Sequence, residues 1–257
     1  DIKEQIAQIK DELKKVIKER ETMRKRREKI PLPSCALVGY TNAGKSSLLN
    51  SLTGSGVFVE DKLFATLDPT TRRLSLSGST GILLTDTVGF IRNLPHTLID
   101  AFKSTLEEAV RADLLLIVLD ASDTDVFGQY ETVCTVLEEI GASKNKRLLI
   151  LNKTDKEECE RNFSLSRIKE TGQNALEVSA KNSAGFDALI EAIADSLFGT
   201  IKEYSLKLSD TELLNEIRKN GILVSSEWTE DAVKIKARIS EALETKLFAP
   251  PSKPLLP

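Results

Sequence analysis

Histidine is almost absent from this 257-residue chain: His96 is the only one, and cysteine is limited to Cys35, Cys134 and Cys159, which stand far apart. One imidazole and three scattered thiols exclude a zinc cluster with ordinary ligand spacing. The thiols form no disulfide framework and fit a reducing compartment. A lone histidine also has no partner for acid–base work, so His96 reads as structural. Long hydrophobic runs are missing too. No apolar stretch approaches the roughly 20 residues that cross a bilayer, and the start lacks the charged, apolar and small-residue succession of a signal peptide. The first residue is Asp1 rather than Met and falls inside a helical pattern. The expectation is therefore a fragment with more chain upstream.

Net charge is small, at −3, but unevenly spread. Residues 1–30 hold 11 Lys/Arg against 7 Asp/Glu, whereas the remainder holds 25 against 32. Ile2, Ile6, Ile9, Leu13 and Val16 recur in steps of four and three, a coiled-coil seam on one long helix. Arg20 and Arg27 interrupt that seam before Pro31 and Pro33 end the helix. Its stripe needs a partner to cover it. Two readings of the basic helix stand side by side: a contact with nucleic acid or an anionic surface, and a simple solvated face.

From Ser34 onward, apolar runs alternate with amphipathic stretches. The runs predict strands at 35–39, 73–78, 81–86, 114–120, 147–152 and 175–179. Helices are expected near 45–53, 95–111, 125–141 and 185–198. Strands apolar on both faces and separated by helices imply a mostly parallel sheet covered on both sides. The short gap at 78–81 implies one antiparallel hairpin within it. After Gly199 the pattern becomes a strand at 201–208, a helix at 209–221, two further strands and a helix near 238–247. The expected organisation is a helical remnant (1–30), an α/β domain (31–199), and a small α+β module with an extended Pro-rich tail (200–257).

Gly39-Tyr40-Thr41-Asn42-Ala43-Gly44-Lys45-Ser46, followed by Ser47, matches GxxxxGK[ST] between a predicted strand and helix. That context makes the motif credible as a phosphate cradle of backbone N–H groups. Lys45 would place charge on the β- and γ-phosphates, and the Ser46 hydroxyl would ligate Mg²⁺. Asn152-Lys153-Thr154-Asp155 follows another apolar strand. A carboxylate at Asp155 accepts both N1–H and the exocyclic amine of guanine, while adenine would leave it unpaired. Asn152 would brace this loop, and the backbone of Ser179-Ala180-Lys181 would meet the guanine oxygen. Asp86-Thr87-Val88-Gly89 ends strand 81–86, with Asp86 reaching Mg²⁺ through water and the Gly89 N–H meeting the γ-phosphate. Together these predict that residues 31–199 are a P-loop domain of Ras-like type with a GTP/GDP site, Lys45, Gly89 and Asn42 being among its catalytic candidates.

Where many GTPases carry a glutamine that orients water, this chain has Phe90. Hydrolysis then needs another aid. One candidate is Asn42, which could ligate K⁺ beside the phosphates; an equally simple role is shaping the loop. Arg72 and Arg73 are further charge donors or merely solubilising residues of an edge strand. The polar stretch from Asp61 to Thr71 has the length of a loop that orders around γ-phosphate and Mg²⁺. Spacing does not choose among its threonines, Thr66, Thr70 and Thr71.

Four strings, GYTNAGKSSLLN, DKLFATLDPTTRR, LLTDTVGFIRNLPH and AFKSTLEEA, resemble the HflX GTPases continuously from about Glu28 to Lys181. By that resemblance, Phe64-Ala65-Thr66-Leu67-Asp68 forms the first switch and Thr66 is its Mg²⁺ ligand and a catalytic candidate. The resemblance implies a cytoplasmic, monomeric GTPase of slow intrinsic turnover. Its partners would be GTP, GDP and the large ribosomal subunit with its RNA, not DNA, in the splitting of stalled ribosomes. Membrane association is reported for some members but has no basis in these residues. The alternative is a nucleotide-regulated interaction module with little turnover that recruits a partner through its N-terminal helix. By the same resemblance the family's glycine-rich N-terminal portion is expected upstream of these residues, and a molecule without it would be impaired in ribosome binding more than in nucleotide binding.

Overall fold

A computed structural model describes residues 32–54, 69–77, 80–90, 106–157, 163–170 and 175–248. The expected basic helix, the Asp61–Asp68 part of the first switch, His96 and the C-terminal tail lie outside the described residues. Two sheets lie within one compact unit, Pro33–Pro257.

The main sheet is built from β1 (Ser34–Gly39), β2 (Thr70–Ser77), β3 (Thr80–Asp86), β4 (Leu114–Asp120), β5 (Lys146–Asn152) and β6 (Ala175–Glu177). Its order is β2-β3-β1-β4-β5-β6. All pairings are parallel except the β2–β3 hairpin. The α/β P-loop expectation, with its single antiparallel hairpin, is what forms. Leu114 to Leu119 of β4 are wholly buried on both faces, which is why that run is apolar without alternation. Each such side chain contributes about 1.5–3 kcal/mol on leaving water.

Helices cover both faces: α1 (Lys45–Thr53), α2 (Val126–Glu139), α3 (Phe163–Glu170) and α4 (Phe186–Phe198), with residues 106–111 also helical. In α2, Val126, Tyr130, Val133 and Leu137 recur at helical spacing and enter one core, while Leu48 and Leu49 of α1 enter the other. The departures from the sequence reading include one strand start and one whole helix. Strand β2 begins at Thr70, because Thr70–Arg72 pair with Leu84–Asp86 despite their polarity. Helix α3 was not anticipated; its apolar residues are only Phe163, Leu165 and Ile168, of which Leu165 and Ile168 insert into the β4–α2 core.

The second sheet, β7-β9-β8, comprises β7 (Ile201–Lys207), β8 (Ile222–Trp228) and β9 (Ala232–Arg238). Helices α5 (Thr211–Asn220) and α6 (Glu241–Phe248) cover its apolar side through Leu214, Ile217 and Leu243. Arg238, 3% exposed, leaves this sheet to pair with Glu191 and Asp195 of α4 and to donate to the Gly199 carbonyl at 3.2 Å. At a second point the Thr80 hydroxyl of β3 donates to the Gly221 carbonyl at 3.0 Å, and the adjoining Ile222 packs into the main core. Trp228 ends β8 and is 57% exposed.

Candidate nucleotide-binding site

The strand order places β1 between two neighbours that follow it in the chain, so loops leaving β1 and β4 open a crevice at the carboxyl edge of the sheet. Residues 39–44 fill that edge. Gly39 has φ +156°, and a Cβ there would lie 2.1 Å from the Val118 carbonyl oxygen. Asn42 (φ +60°) and Gly44 (φ +90°) are left-handed, which turns the loop into the start of α1. No side chain caps α1 at Gly44, so its first N–H groups face the loop, as anion binding requires.

Lys45 is 6% exposed, and its ammonium donates to the Tyr40 carbonyl at 2.9 Å and the Gly39 carbonyl at 3.3 Å. Burial pulls its pKa down to about 8, against the opposing pull of Asp86. The Ser46 hydroxyl donates to Asp86 at 2.5 Å. Asp86 is wholly buried, and this hydroxyl–carboxylate pair is a set of hard oxygen donors suited to Mg²⁺. Thr87 and Val88 are buried, with the Thr87 hydroxyl donating to the Leu37 carbonyl at 2.6 Å. Gly89 is demanded by crowding: a Cβ would stand 2.7 Å from Thr41 Cα and 3.0 Å from Lys45 Nζ.

The second half of the site is joined to the first through Asn152, 1% exposed. Its Nδ2 donates to the Ala43 carbonyl at 2.9 Å, and its Oδ1 accepts from the Ala180 amide at 3.0 Å. A Cβ on Gly44 would collide with that same Nδ2 at 2.3 Å, so glycine is needed where the two loops meet. Asp155 accepts the Ser179 hydroxyl at 2.6 Å, with Lys181 3.8 Å away. The Ser179 hydrogen bond is the main cause holding the Asp155 carboxyl below its usual range. Thr154 secures the turn by donating through its hydroxyl to the Val178 carbonyl at 3.0 Å. A negative acceptor thus stands beside the loop that carries Ala180 and Lys181.

Residues 34–153 match a family model described as 50S ribosome-binding GTPase. The GTPase HflX of Caldanaerobacter subterraneus subsp. tengcongensis is 41% identical over 249 residues, 96% of this chain and 56% of that protein. The GTPase HflX of Escherichia coli is 41% identical over 241 residues, 93% and 56% of the two chains. The chain belongs to the HflX family. It spans little more than half the length of these HflX relatives. A crystal structure of a GTP-binding protein from Sulfolobus solfataricus in complex with GDP is also similar, with 30% identity and a TM-score of 0.52 over 73% of this chain and 57% of that one.

In this chain the side chain of Phe90 is 1% exposed and belongs to the α2-side core. Its backbone instead zips the segment after Gly89 to the phosphate loop, through Phe90 N to the Gly39 carbonyl (3.0 Å) and Thr41 N to the Phe90 carbonyl (2.9 Å). The position is therefore structural. Arg72 and Arg73 stand exposed on the edge strand β2. Thr70 and Thr71 are strand residues paired with Asp86 and Thr85. Phe64, Ala65, Thr66, Leu67 and Asp68 lie outside the described residues. The described residues contain no cluster of three or more His, Cys, Asp or Glu that could hold a metal, and no helix long and apolar enough to cross a membrane.

Three residues outside the expected set join the site. Ser51 of α1 donates to the Ala180 carbonyl at 2.7 Å, tying the phosphate-loop helix to the Ser179–Lys181 loop. Asp120 pairs with Lys153 at 2.8 Å, and Ser122 anchors Asp120. The available signal was an acidic residue closing the wholly apolar run of β4, at the sheet edge where ligands bind.

Proposed function

We propose that this chain binds GTP and GDP with Mg²⁺ and hydrolyses GTP slowly, and that it serves a ribosome-associated switch acting on the large ribosomal subunit. The observation that carries the nucleotide reading is Asn152, which fastens the Asp155 loop to both the phosphate loop and Ala180. Base and phosphate recognition are thereby held at a fixed separation, which suits a nucleotide rather than a free phosphate. Lys45 and the α1 N-terminus would take the β- and γ-phosphates. Asp155, kept ionised by Ser179, would accept the two guanine N–H groups, with the Ala180 and Lys181 backbone near the guanine oxygen. Ser46, Thr66 and, through water, Asp86 would hold Mg²⁺, whose role is to neutralise charge on the phosphates. Gly89 would present its N–H to the γ-phosphate.

The ribosomal part of the reading is supported by the description of the matched family, and by the relatives' shared identity across almost this entire chain. The reading includes action in the cytoplasm on stalled ribosomes, as splitting or rescue, on the strength of the family resemblance alone. In this reading residues 31–199 form the switch, while 1–30 and 200–257 supply further contacts. A buried Phe90 favours a second reading, an interaction module of little turnover, because no side chain at that position can orient water. Steady-state GTP hydrolysis with and without large ribosomal subunits separates the two. The expected result is stimulation by the subunits. Asn42 as a K⁺ ligand predicts faster hydrolysis in K⁺ than in Na⁺ at equal ionic strength, and equal rates would retire that role. No stimulation by either subunits or K⁺ would favour the interaction module.

A further inference from the structure

Lys153 occupies an unusual position in the described chain. Its backbone is left-handed at φ +65°, a region that residues with side chains rarely enter without compensation. Its ammonium is held from two sides: it donates to the Asn42 carbonyl of the phosphate loop at 2.8 Å and pairs with the Asp120 carboxylate at 2.8 Å. Both side chains are shielded, 22% exposed for Lys153 and 14% for Asp120, so solvent screens the pair far less than a surface bridge. Its stem runs past the phosphate loop, with Cε 3.8 Å from where a Cβ on Gly44 would sit.

Asp120 is itself fixed. Its Oδ1 accepts the Ser122 amide at 3.0 Å and the Ser122 hydroxyl at 2.6 Å, leaving Oδ2 for Lys153. The β4–β5 register places Asp120 directly beside Asn152, and the Ala121 amide donates to the Asn152 carbonyl at 2.8 Å. The end of β4 therefore braces the base-reading loop by backbone and by side chain.

We propose that Asp120 is a positioning residue of the guanine site, holding Lys153 as a clamp between the base-reading loop and the phosphate loop. This inference rests on the nucleotide reading above, and it extends that reading to a residue that touches no part of the ligand itself. Without the carboxylate, the lysine keeps one partner of two, and the two loops are fastened to each other less tightly. The nucleotide then loses a preformed surface and leaves sooner.

The test is the dissociation rate of a fluorescently labelled GDP from the parent chain, Asp120→Asn, Lys153→Met and the double variant. Asp120→Asn preserves an acceptor for Ser122 and so preserves the turn. The expected results are release about tenfold faster in Asp120→Asn, the size of one lost charge-assisted hydrogen bond, an unchanged thermal midpoint of the nucleotide-free chain, and no further acceleration when Asp120→Asn is added to Lys153→Met. Unchanged release, or effects that simply multiply in the double variant, would overturn the proposal, since Asp120 would then act other than through Lys153. A lowered midpoint that accounts for the faster release would overturn it as well, in favour of a purely structural role. A parent chain that binds no guanine nucleotide would instead overturn the underlying reading.

Discussion

Lys45 concentrates the electrostatic conflict of the site in one side chain. Burial lowers its pKa to about 8, so the charge that phosphate binding needs is lost at mildly alkaline pH. Raising the pH from 7 to 8.5 should weaken GDP binding about fourfold, read by titration calorimetry. The effect on folding has the opposite sign. The folded pKa lies below the ordinary 10.5, so the cost of the buried charge is carried below about pH 8 and relieved as pH rises towards 10.5. At Asp155 the decisive property is an acceptor that stays negative. Asp155→Asn replaces one acceptor oxygen by a donor facing the guanine N–H groups, and should cut the preference for GDP over ADP by on the order of a hundredfold. Competition binding against labelled GDP measures it, and an unaltered preference would remove Asp155 from the base-reading role.

Elements differ in how openly the sequence declares them. β4 was legible to the residue because burial on both faces leaves no polar position to blur its ends, and both loops of the site follow such strands. α3 was not legible: three apolar residues at steps of two and three carry no clear helical period, and it is tertiary packing that fixes the helix. Arg167 of α3 also lies 3.8 Å over the Phe127 ring of α2, a contact no local pattern announces. The site residues could be named from motif spacing, whereas Asp120 and Ser51 act through partners distant in sequence, which spacing does not reveal. Ile168 is wholly buried beneath this helix. Ile168→Ala should lower stability by about 2–4 kcal/mol in denaturant unfolding while leaving GDP affinity within about twofold. A large affinity loss would show that α3 supports the site and not only the core.

For the whole molecule, the question is how the small sheet is attached. Arg238 is a buried cation answering two partly exposed carboxylates on α4, so its removal strands no buried anion but loses several charge-assisted hydrogen bonds. Arg238→Met should reduce stability by about 2 kcal/mol, and the loss should shrink with added salt. If denaturant unfolding of that variant split into two transitions, the latch would be what makes the sheets melt together; a single transition would assign that coupling to Ile222 and the Thr80–Gly221 bond.

Trp228 gives this attachment an optical consequence. It is the only tryptophan in the chain, and it lies on the small sheet rather than among the nucleotide-site residues. Its near-ultraviolet emission thus reports the small sheet alone. A change in that emission on adding GDP would report coupling between the two sheets, whose links among the described residues include Thr80–Gly221, Ile222 and Arg238.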